Sequence, residues 1–250
     1  MQNLYQIFYP YNKFDTKEKI ELLKKYMYSE TTKKIPRNMS VQISEPPPPK
    51  KDPILYIEKK NSMFWSIYIS IFGYESFQYS EKQSTIEMSE KQKIIDFIKE
   101  NPKILKTTGY KITNTLGQEI LSDLMTMGEN PILFIAYAIY YKINIVVFFV
   151  RDKQTKFYLE IVPENHEKVV YLFYDVKMKK YGVELNSDSQ IEADFRDKLL
   201  SIENFQKPLK AISHYKMSDL QTMAMKLGVS IDEKKKKEEL YTALIRETTI

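Results

Sequence analysis

The candidate catalytic groups in this chain are the hydroxyl of one serine and the imidazoles of two histidines. Ser66 lies in the apolar stretch NSMFWSIYISIFG, which predicts a buried helix over residues 63–72. His166 and His214 are the only two histidines in the sequence. A serine hydroxyl becomes a nucleophile only beside a general base, so a working site would place one of these imidazoles against Ser66.

The surroundings of the two histidines argue against such a pair. His166 lies in the polar stretch PENHEK and is expected to be exposed, whereas His214, followed by Tyr215, lies on the approach to the C-terminal segment. A small residue in a central helix lets a neighbouring backbone approach closely, and its hydroxyl can donate to the carbonyl four residues earlier. We therefore interpret Ser66 as structural, and a Ser66 dyad with either histidine stays as the alternative.

Composition excludes several kinds of site. The chain has no cysteine, which rules out disulfides, thiolate metal ligands and a cysteine nucleophile. Two histidines are too few for a multi-histidine zinc site, and the sequence has no metal-spaced carboxylate set, glycine-rich phosphate loop or dinucleotide fingerprint. We therefore expect no metal and no cofactor. If Ser66 were an engineered replacement for a native cysteine, that change would also explain why the chain has no cysteine.

The apolar stretch PILFIAYAIYYKINIVVFFV, residues 131–150, is long enough to be considered as a membrane span. Lys142 and Asn144 lie near its centre, where a charge costs about 3 kcal/mol. Its composition also changes midway to β-branched residues, which favour strands. We therefore predict a buried helix followed by a central strand, and no membrane span.

Apolar segments separated by short turn sequences predict a sheet in the second half of the chain. Strands are expected near 143–150, 156–162, 168–175 and 180–185, after a short first strand at ILYIEKK. Helices are expected over 84–100, 117–127 and 191–204. This order predicts an α+β fold, in which helices pack on an antiparallel meander sheet.

The first 52 residues combine a predicted helix with an extended arm. Asp15 and Glu18 have the spacing of a capping box at the start of a predicted helix over 15–28. The four consecutive prolines, Pro46–Pro49, favour polyproline II. This Pro-rich tract is interpreted as a stiff connector, with a ligand for an aromatic groove as the alternative.

Charge is unevenly spread over the three regions that we predict, an arm at 1–52, an α+β core at 53–206 and a helical module at 207–250. Residues 1–60 carry 12 basic and 7 acidic side chains, residues 207–250 carry 9 and 6, and residues 61–206 carry 17 and 20. Basic ends around an acidic centre can dock onto acidic partners or nucleic acid. No secretory signal is visible at the N-terminus, so an intracellular protein is expected.

The predicted module at 207–250 has the pattern of two short amphipathic helices. Ser218 and Gln221 have capping-box spacing, and Gly228 is placed to end the first helix. The second helix carries Leu240 and Leu244 on one face. With its lysine-rich linker, this pattern resembles SAP-type and Rho-N-type helix–linker–helix modules, although the linker is longer than usual and the second glycine is missing.

This resemblance implies contacts with nucleic-acid phosphates. The implied residues are Lys234, Lys235, Lys236 and Lys237 of the linker, together with Lys216 before the first helix. A lysine run is also typical of a solvated helix start, and the two glutamates that follow it partly offset its charge. A protein-docking or purely structural helical pair therefore stays open beside nucleic-acid binding.

Residues 55–185 resemble papain-like and OTU-type (ovarian-tumour) cysteine peptidases in the order of their elements. In those families the nucleophile opens a buried helix, and a histidine–aromatic pair lies late in the sheet. The resemblance places Ser66 at the nucleophile, and Lys180 with Tyr181 at the pair. Serine and lysine at these positions imply an inactivated site, because neither supplies the thiolate–imidazole pair.

The whole chain also resembles a group of uncharacterised proteins of large nucleocytoplasmic DNA viruses. The resemblance rests on the stretches Phe64–Tyr68, Pro46–Pro49 and Ser218–Leu240. It implies a minor capsid or other virion-associated component, located in the virion or the host cytoplasm. Its partners would be other protein chains of a large assembly and, in the alternative, DNA.

Three functions are compatible with these patterns. The first is a non-enzymatic structural protein, with the core as scaffold and the basic ends as docking arms. The second is a nucleic-acid-binding protein that acts through residues 207–250. The third is a papain-like or OTU-type hydrolase with Ser66 as nucleophile and His166 or His214 as base.

Overall fold

The chain divides into two units, Met1–Lys50 and Lys51–Ile250. The computed structural model describes residues 54–79, 82–108, 110, 112–185, 195–230 and 236–250, all of them in the second unit. The predicted helix over 15–28 and the proline tract lie outside the described residues, as do Lys234 and Lys235.

The described residues form eight α-helices, numbered here in chain order. They are α1 (Ser62–Phe72), α2 (Tyr74–Gln78), α3 (Gln83–Glu100), α4 (Asn114–Met125), α5 (Leu133–Tyr140), α6 (Phe195–Lys198), α7 (Met217–Leu227) and α8 (Lys237–Thr248). Gly73 ends α1 with φ 86°, and Gly228 ends α7 with φ 68°. Both glycines therefore adopt a positive φ that other residues rarely take, as predicted for Gly228 from its position.

The described residues also form six strands, which make up a single mixed sheet. They are β1 (Ile54–Tyr56), β2 (Ile143–Arg151), β3 (Gln154–Ile161), β4 (Lys168–Asp175), β5 (Lys180–Glu184) and β6 (Leu200–Ser201). Across the sheet the order is β1-β5-β4-β2-β3-β6. The pairs β4/β2 and β3/β6 are parallel, and the other three pairs are antiparallel.

The predicted α+β fold is confirmed, but the predicted antiparallel meander is wrong. After the β2–β3 hairpin the chain crosses over β2, so that β4 pairs with β2 and runs parallel to it. The cause lies in the composition of β2, of which every residue except Arg151 is buried. A strand that is apolar on both faces belongs in the centre of a sheet. In the predicted meander, β2 would have paired with β3 alone along one edge and would have left its other edge exposed.

The helix predicted over 191–204 is also wrong in its extent. Within residues 195–204 the helix covers only Phe195–Lys198, and Leu200–Ser201 then form the edge strand β6. The pairing of Leu200 and Ser201 with β3 accounts for this change, because a short segment beside an open strand edge gains ladder hydrogen bonds there.

The central helix α1 lies in the main hydrophobic core and contacts β4 and β5. Met63, Phe64, Trp65 and Ile67 are all buried, so the helix is covered on nearly every side. Burial of one such large apolar side chain contributes about 1.5–3 kcal/mol. The packing of α1 therefore fixes the position of its first residues against strand β5.

The stretch 131–150 folds as predicted, as helix α5 followed by strand β2. Helix α5 is buried over Leu133–Ile139 and contacts β2 and β3. Among the described residues, no helix is both long and apolar enough to cross a membrane.

The opposite face of the sheet carries a second, smaller aromatic cluster. Val146, Phe148, Tyr158 and Phe195 form its buried part. Arg196 stacks on the Phe195 ring at 4.6 Å and makes two hydrogen bonds to the Glu160 carboxylate, of 2.7 and 3.2 Å. This ion pair fixes α6 over the outer face of the sheet.

The C-terminal helices pack on the same core as the sheet. Leu220 and Leu227 of α7 and Leu240 and Leu244 of α8 belong to the hydrophobic cluster that contains α1 and α5. The guanidinium of Arg151, at the end of β2, donates to the carbonyl oxygens of Glu247 and Thr249, at 3.2 and 2.6 Å. Helices α7 and α8 are thus joined to the sheet by apolar contacts and by hydrogen bonds.

Candidate functional site

The start of the central helix is a buried polar site, and Ser62 is the first residue of the helix. Asn61 precedes it with φ 66°, in the left-handed region that asparagine tolerates better than most residues. The Asn61 side chain makes no cap on the helix. Its Nδ2 instead donates to Glu87 of α3, so this contact links the start of α1 to another helix.

The Ser62 hydroxyl is fully engaged in hydrogen bonds. Its Oγ donates to Glu129 Oε1 at 3.1 Å and accepts from the backbone N–H of Tyr181 at 3.2 Å. The residue is only 1% exposed. One hydroxyl therefore joins the start of α1 to strand β5 and to the segment before α5.

Glu129 covers this helix start from the outside. It is an exposed residue, yet its Oε1 accepts from both Ser62 Oγ and the backbone N–H of Met63, the latter at 3.2 Å. The first N–H groups of a helix lack partners within the helix, and the helix dipole favours a negative charge beside them. The Glu129 carboxylate thus takes the place that an anionic ligand would occupy.

Lys91 supplies the positive charge of the site. It is 1% exposed, its Nζ lies 3.1 Å from Glu87 Oε1, and it donates to the carbonyl of Gly128 at 3.4 Å. Burial lowers the pKa of Lys91, and the carboxylates of Glu87, Glu129 and Asp123 oppose that change. The Lys91 ammonium therefore lies among three carboxylates and pairs directly with Glu87.

Ser66 lies one turn further along α1, in a different environment from Ser62. It is 0% exposed, and its Oγ has no hydrogen-bond partner among the described residues. The predicted bond from the Ser66 hydroxyl to the carbonyl four residues earlier is therefore absent. The Ser70 hydroxyl instead makes the corresponding bond to the Ser66 carbonyl, at 2.8 Å.

The structure brings neither histidine to a serine of α1. His166 is exposed, and its Nδ1 lies 3.3 Å from the carbonyl oxygen of Pro163 in its own turn. His214 is exposed in the 3₁₀ turn Ile212–His214. Since Ser66 is sealed inside the core, no dyad forms with either imidazole.

The residue that opens the buried helix is Ser62, not Ser66. The resemblance to peptidases places the nucleophile at Ser66, which lies one turn inside the helix and not at its opening. Strand β5 reaches the start of α1 through the N–H of Tyr181, which donates to Ser62 Oγ. Lys180, the residue before Tyr181 in β5, donates from its Nζ to the carbonyl of Lys59 at 3.2 Å.

A signal for Ser62 was present in the sequence. Asparagine and serine directly before an apolar helical run are typical of a helix start. The sequence gives no such signal for Glu129 as the partner of Ser62, because the two residues lie 67 positions apart. Among the described residues, no group of three or more histidine, cysteine, aspartate or glutamate side chains could hold a metal ion.

The basic candidates of the C-terminal region lie at two helix starts. Lys216 is the N-cap residue of α7, and its N–H donates to Asp219 Oδ2 at 2.7 Å. Lys236 is the N-cap residue of α8, and its N–H donates to Glu239 Oε2 at 3.1 Å. The predicted capping box of Ser218 and Gln221 is therefore wrong by two residues, because the helix already begins at Met217.

The segment before α7 packs against helix α8. The rings of Tyr215, just before α7, and Tyr241, near the start of α8, lie 6.5 Å apart. The Tyr241 hydroxyl donates to the carbonyl of Lys210 at 2.8 Å, and the Tyr215 hydroxyl accepts from the N–H of the same lysine, also at 2.8 Å. Tyr215, next to Lys216, therefore packs against the second turn of α8.

Comparisons of the chain with protein-family models, with curated proteins and with solved structures give no match.

Proposed function

We propose that the protein is a non-enzymatic structural protein, whose peptidase-like core serves as a scaffold for the attachment of other protein chains. The observation that carries the proposal is the state of Ser62, the residue at the opening of the central helix. Its hydroxyl is buried and joins three parts of the fold. A side chain in that role supports the fold rather than attacking a substrate.

Catalysis at this position would require two changes. A substrate carbonyl would have to displace Glu129, which holds both Ser62 Oγ and the Met63 N–H. A base would then have to accept the serine proton, but the resemblance places Lys180 at that position, and an ammonium has no lone pair to accept it. The geometry therefore favours a scaffold over a hydrolase.

A fluorophosphonate probe tests this function directly, because it labels serine hydroxyls that a base activates. We expect no labelling of the full chain, and the same result for Ser62→Ala and Ser66→Ala. Labelling of the wild-type chain that is lost in Ser62→Ala would establish a nucleophile and overturn the proposal. Incubation with fluorogenic peptide and ubiquitin substrates provides the second readout.

On the basis of the resemblance to proteins of large DNA viruses, we further propose that the protein is a minor component of a virus particle. Quantitative mass spectrometry of particles purified from cells that express the chain tests this proposal. A constant ratio of the chain to the major structural proteins is the expected result. Loss of the chain from the particles on washing with salt would contradict a structural component.

Nucleic-acid binding is the second candidate function, and the lysines at the starts of α7 and α8 favour it. Helix N-termini and lysine ammonium groups both attract phosphate. The variant Lys216→Ala/Lys236→Ala/Lys237→Ala should weaken binding of a DNA duplex measured by fluorescence anisotropy. Its salt dependence should decrease by about 0.9 in slope for each phosphate that the variant no longer neutralises.

The matched control carries the same loss of charge elsewhere. Lys99, Lys103 and Lys106 are exposed lysines at the end of α3 and in the following turn. Their replacement by alanine should leave the salt slope unchanged. Equal weakening by both triple variants would indicate attraction by net charge alone and would remove α7 and α8 from the proposal.

A further inference from the structure

A cleft of about 580 Å³ lies between β3, helices α4 and α5 and the loop after β6. Its apolar lining comes from Ile112, Leu116, Pro131, Ile132, Ile135, Leu159, Ile161 and Phe205. Clefts of roughly 300–1,000 Å³ with mostly apolar walls are typical binding sites for small molecules. The size and lining of this cleft therefore suit a ligand with an apolar body.

Both walls of the cleft are held in place by their own contacts. On one wall, Asn204 Oδ1 accepts from the N–H of Lys207 at 2.6 Å, and the Glu203 N–H donates to the carbonyl of Pro208 at 3.0 Å. Phe205 of the same loop packs on the rings of Phe149 and Tyr174, with ring centroids 5.7 Å apart in each case. This wall is thus a tight, anchored loop.

The opposite wall is fixed by Asn130. Its Oδ1 accepts from the N–H of Ile132, and its Nδ2 donates to Glu119 Oε1, both at 3.2 Å. The Tyr110 hydroxyl donates to the carbonyl of Glu160 at 3.0 Å, so its proton is already engaged within the protein. A preformed cleft of this kind loses little conformational entropy when it binds.

The charges at the mouth of the cleft indicate the polar end of the ligand. Glu119 already holds Asn130, whereas the ammonium of Lys207 has no hydrogen-bond or ion-pair partner among the described residues. Lys207 is exposed at the mouth. Lys207 is the one cationic side chain among the described residues that line the cleft, so it is the group with which a ligand carboxylate would pair.

We propose that this cleft binds a medium-chain fatty acid, with the carboxylate at Lys207 and the alkyl chain on the isoleucine and leucine floor. This inference is independent of the proposed scaffold function, since it uses none of the residues at the start of α1. The apolar floor supplies the affinity through burial of methylene groups. Lys207 supplies the preference for an acid over a neutral chain.

Titration calorimetry of the full chain with octanoate and with 1-octanol tests the proposal. Octanoate should bind once per chain, about fivefold more tightly than octanol, which is the upper range for an exposed ion pair. Lys207→Gln should remove this preference without changing the affinity for octanol. Lys99→Gln, a matched loss of one exposed lysine, should leave both affinities unchanged.

A second variant tests the floor of the cleft. Leu116→Trp fills the space from a half-buried position and should weaken both ligands at least tenfold, while circular dichroism reports that the chain stays folded. The proposal is overturned by any of three results: no binding at millimolar octanoate, an acid preference that survives Lys207→Gln, or tighter binding of an apolar peptide amide than of octanoate.

Discussion

Two serines on the same helix, one turn apart, have opposite relations to their surroundings. The Ser62 hydroxyl satisfies two neighbours, a carboxylate and a backbone N–H, whereas the Ser66 hydroxyl is buried without a partner among the described residues. A buried polar group stabilises only when it is hydrogen-bonded. The role of each serine therefore depends on the hydrogen-bond partners around its hydroxyl more than on its residue type.

This contrast leads to a stability prediction. Ser62→Ala should lower the free energy of unfolding by about 1–3 kcal/mol, because Glu129 and the Tyr181 N–H lose their partner. Ser66→Ala, the matched change, should be neutral or stabilising, because it removes an unpaired hydroxyl. Urea unfolding monitored by circular dichroism measures both. An equal loss in the two variants would mean that the Ser62 bonds contribute nothing.

A second prediction at this scale concerns alkaline pH. Burial, with smaller effects from Glu203 and Glu160, raises the pKa of Tyr110 to about 12. The unfolded tyrosine, with a pKa near 10, releases its proton first, so this contribution to stability is present below pH 10 and is lost between pH 10 and about 12.

The size of this loss is at most about 1.4 kcal/mol per pH unit. Tyr110→Phe should therefore show a shallower decrease in stability with pH over that interval in urea unfolding. Tyr79→Phe, at a residue that is 76% exposed, should follow the wild type. A Tyr110→Phe profile parallel to that of the wild type would contradict the assignment.

Among the elements, the short edge strand β1 depends on a glycine in its neighbour. β1 pairs with β5 through Ile54–Tyr56, and Tyr56 lies opposite Gly182. A Cβ atom at Gly182 would lie 2.8 Å from the carbonyl oxygen of Leu55 and 2.9 Å from the Tyr56 ring. The close approach of the two backbones therefore requires glycine.

Gly182→Ala should destabilise the chain by about 1–3 kcal/mol, as overpacking does in other cores. Hydrogen exchange should show the loss first in β1, which has only three residues. Gly117→Ala is the control, because its Cβ would meet only Leu105 at 3.7 Å, and alanine favours a helix by about 1 kcal/mol. Faster exchange throughout the sheet would contradict a local effect at the edge.

The sequence predicts elements better than it predicts their pairing. Helix α1 and strands β2 to β5 are local patterns of apolar residues, so their positions were predictable to within a few residues. The parallel pairing of β2 with β4 is not local, and only the burial of β2 on both faces indicated its central place. The Ser62–Glu129 bond joins distant segments, and no pattern of spacing reveals it.

At the scale of the whole molecule, the C-terminal helices are part of the structure that contains the sheet. Leu220 and Leu240 are fully buried in the cluster that also holds α1. Arg151 and Lys226 add bonds from the sheet to α8 and from α7 to the residues around α6. Both helices should therefore unfold together with the core.

The single tryptophan offers a test of this cooperativity. Trp65 is 2% exposed in α1, so its fluorescence reports unfolding of the core. Leu220→Ala should shift the Trp65 unfolding transition by about 2–5 kcal/mol, the usual loss for a buried leucine. Met225→Ala, at an exposed position of α7, should have little effect. A Trp65 transition unchanged in Leu220→Ala would show that the C-terminal helices fold independently.

The burial of α1 also has a consequence for synthesis on the ribosome. The helix ends at Phe72, but β4 and β5, which cover it, begin only at Lys168 and Lys180. About 100 residues must therefore be translated before the strands that cover this largely apolar helix are available. Chains in that state aggregate readily. We expect the nascent chain to depend on a holding chaperone, which should be measurable as lower soluble yield in chaperone-depleted translation extracts.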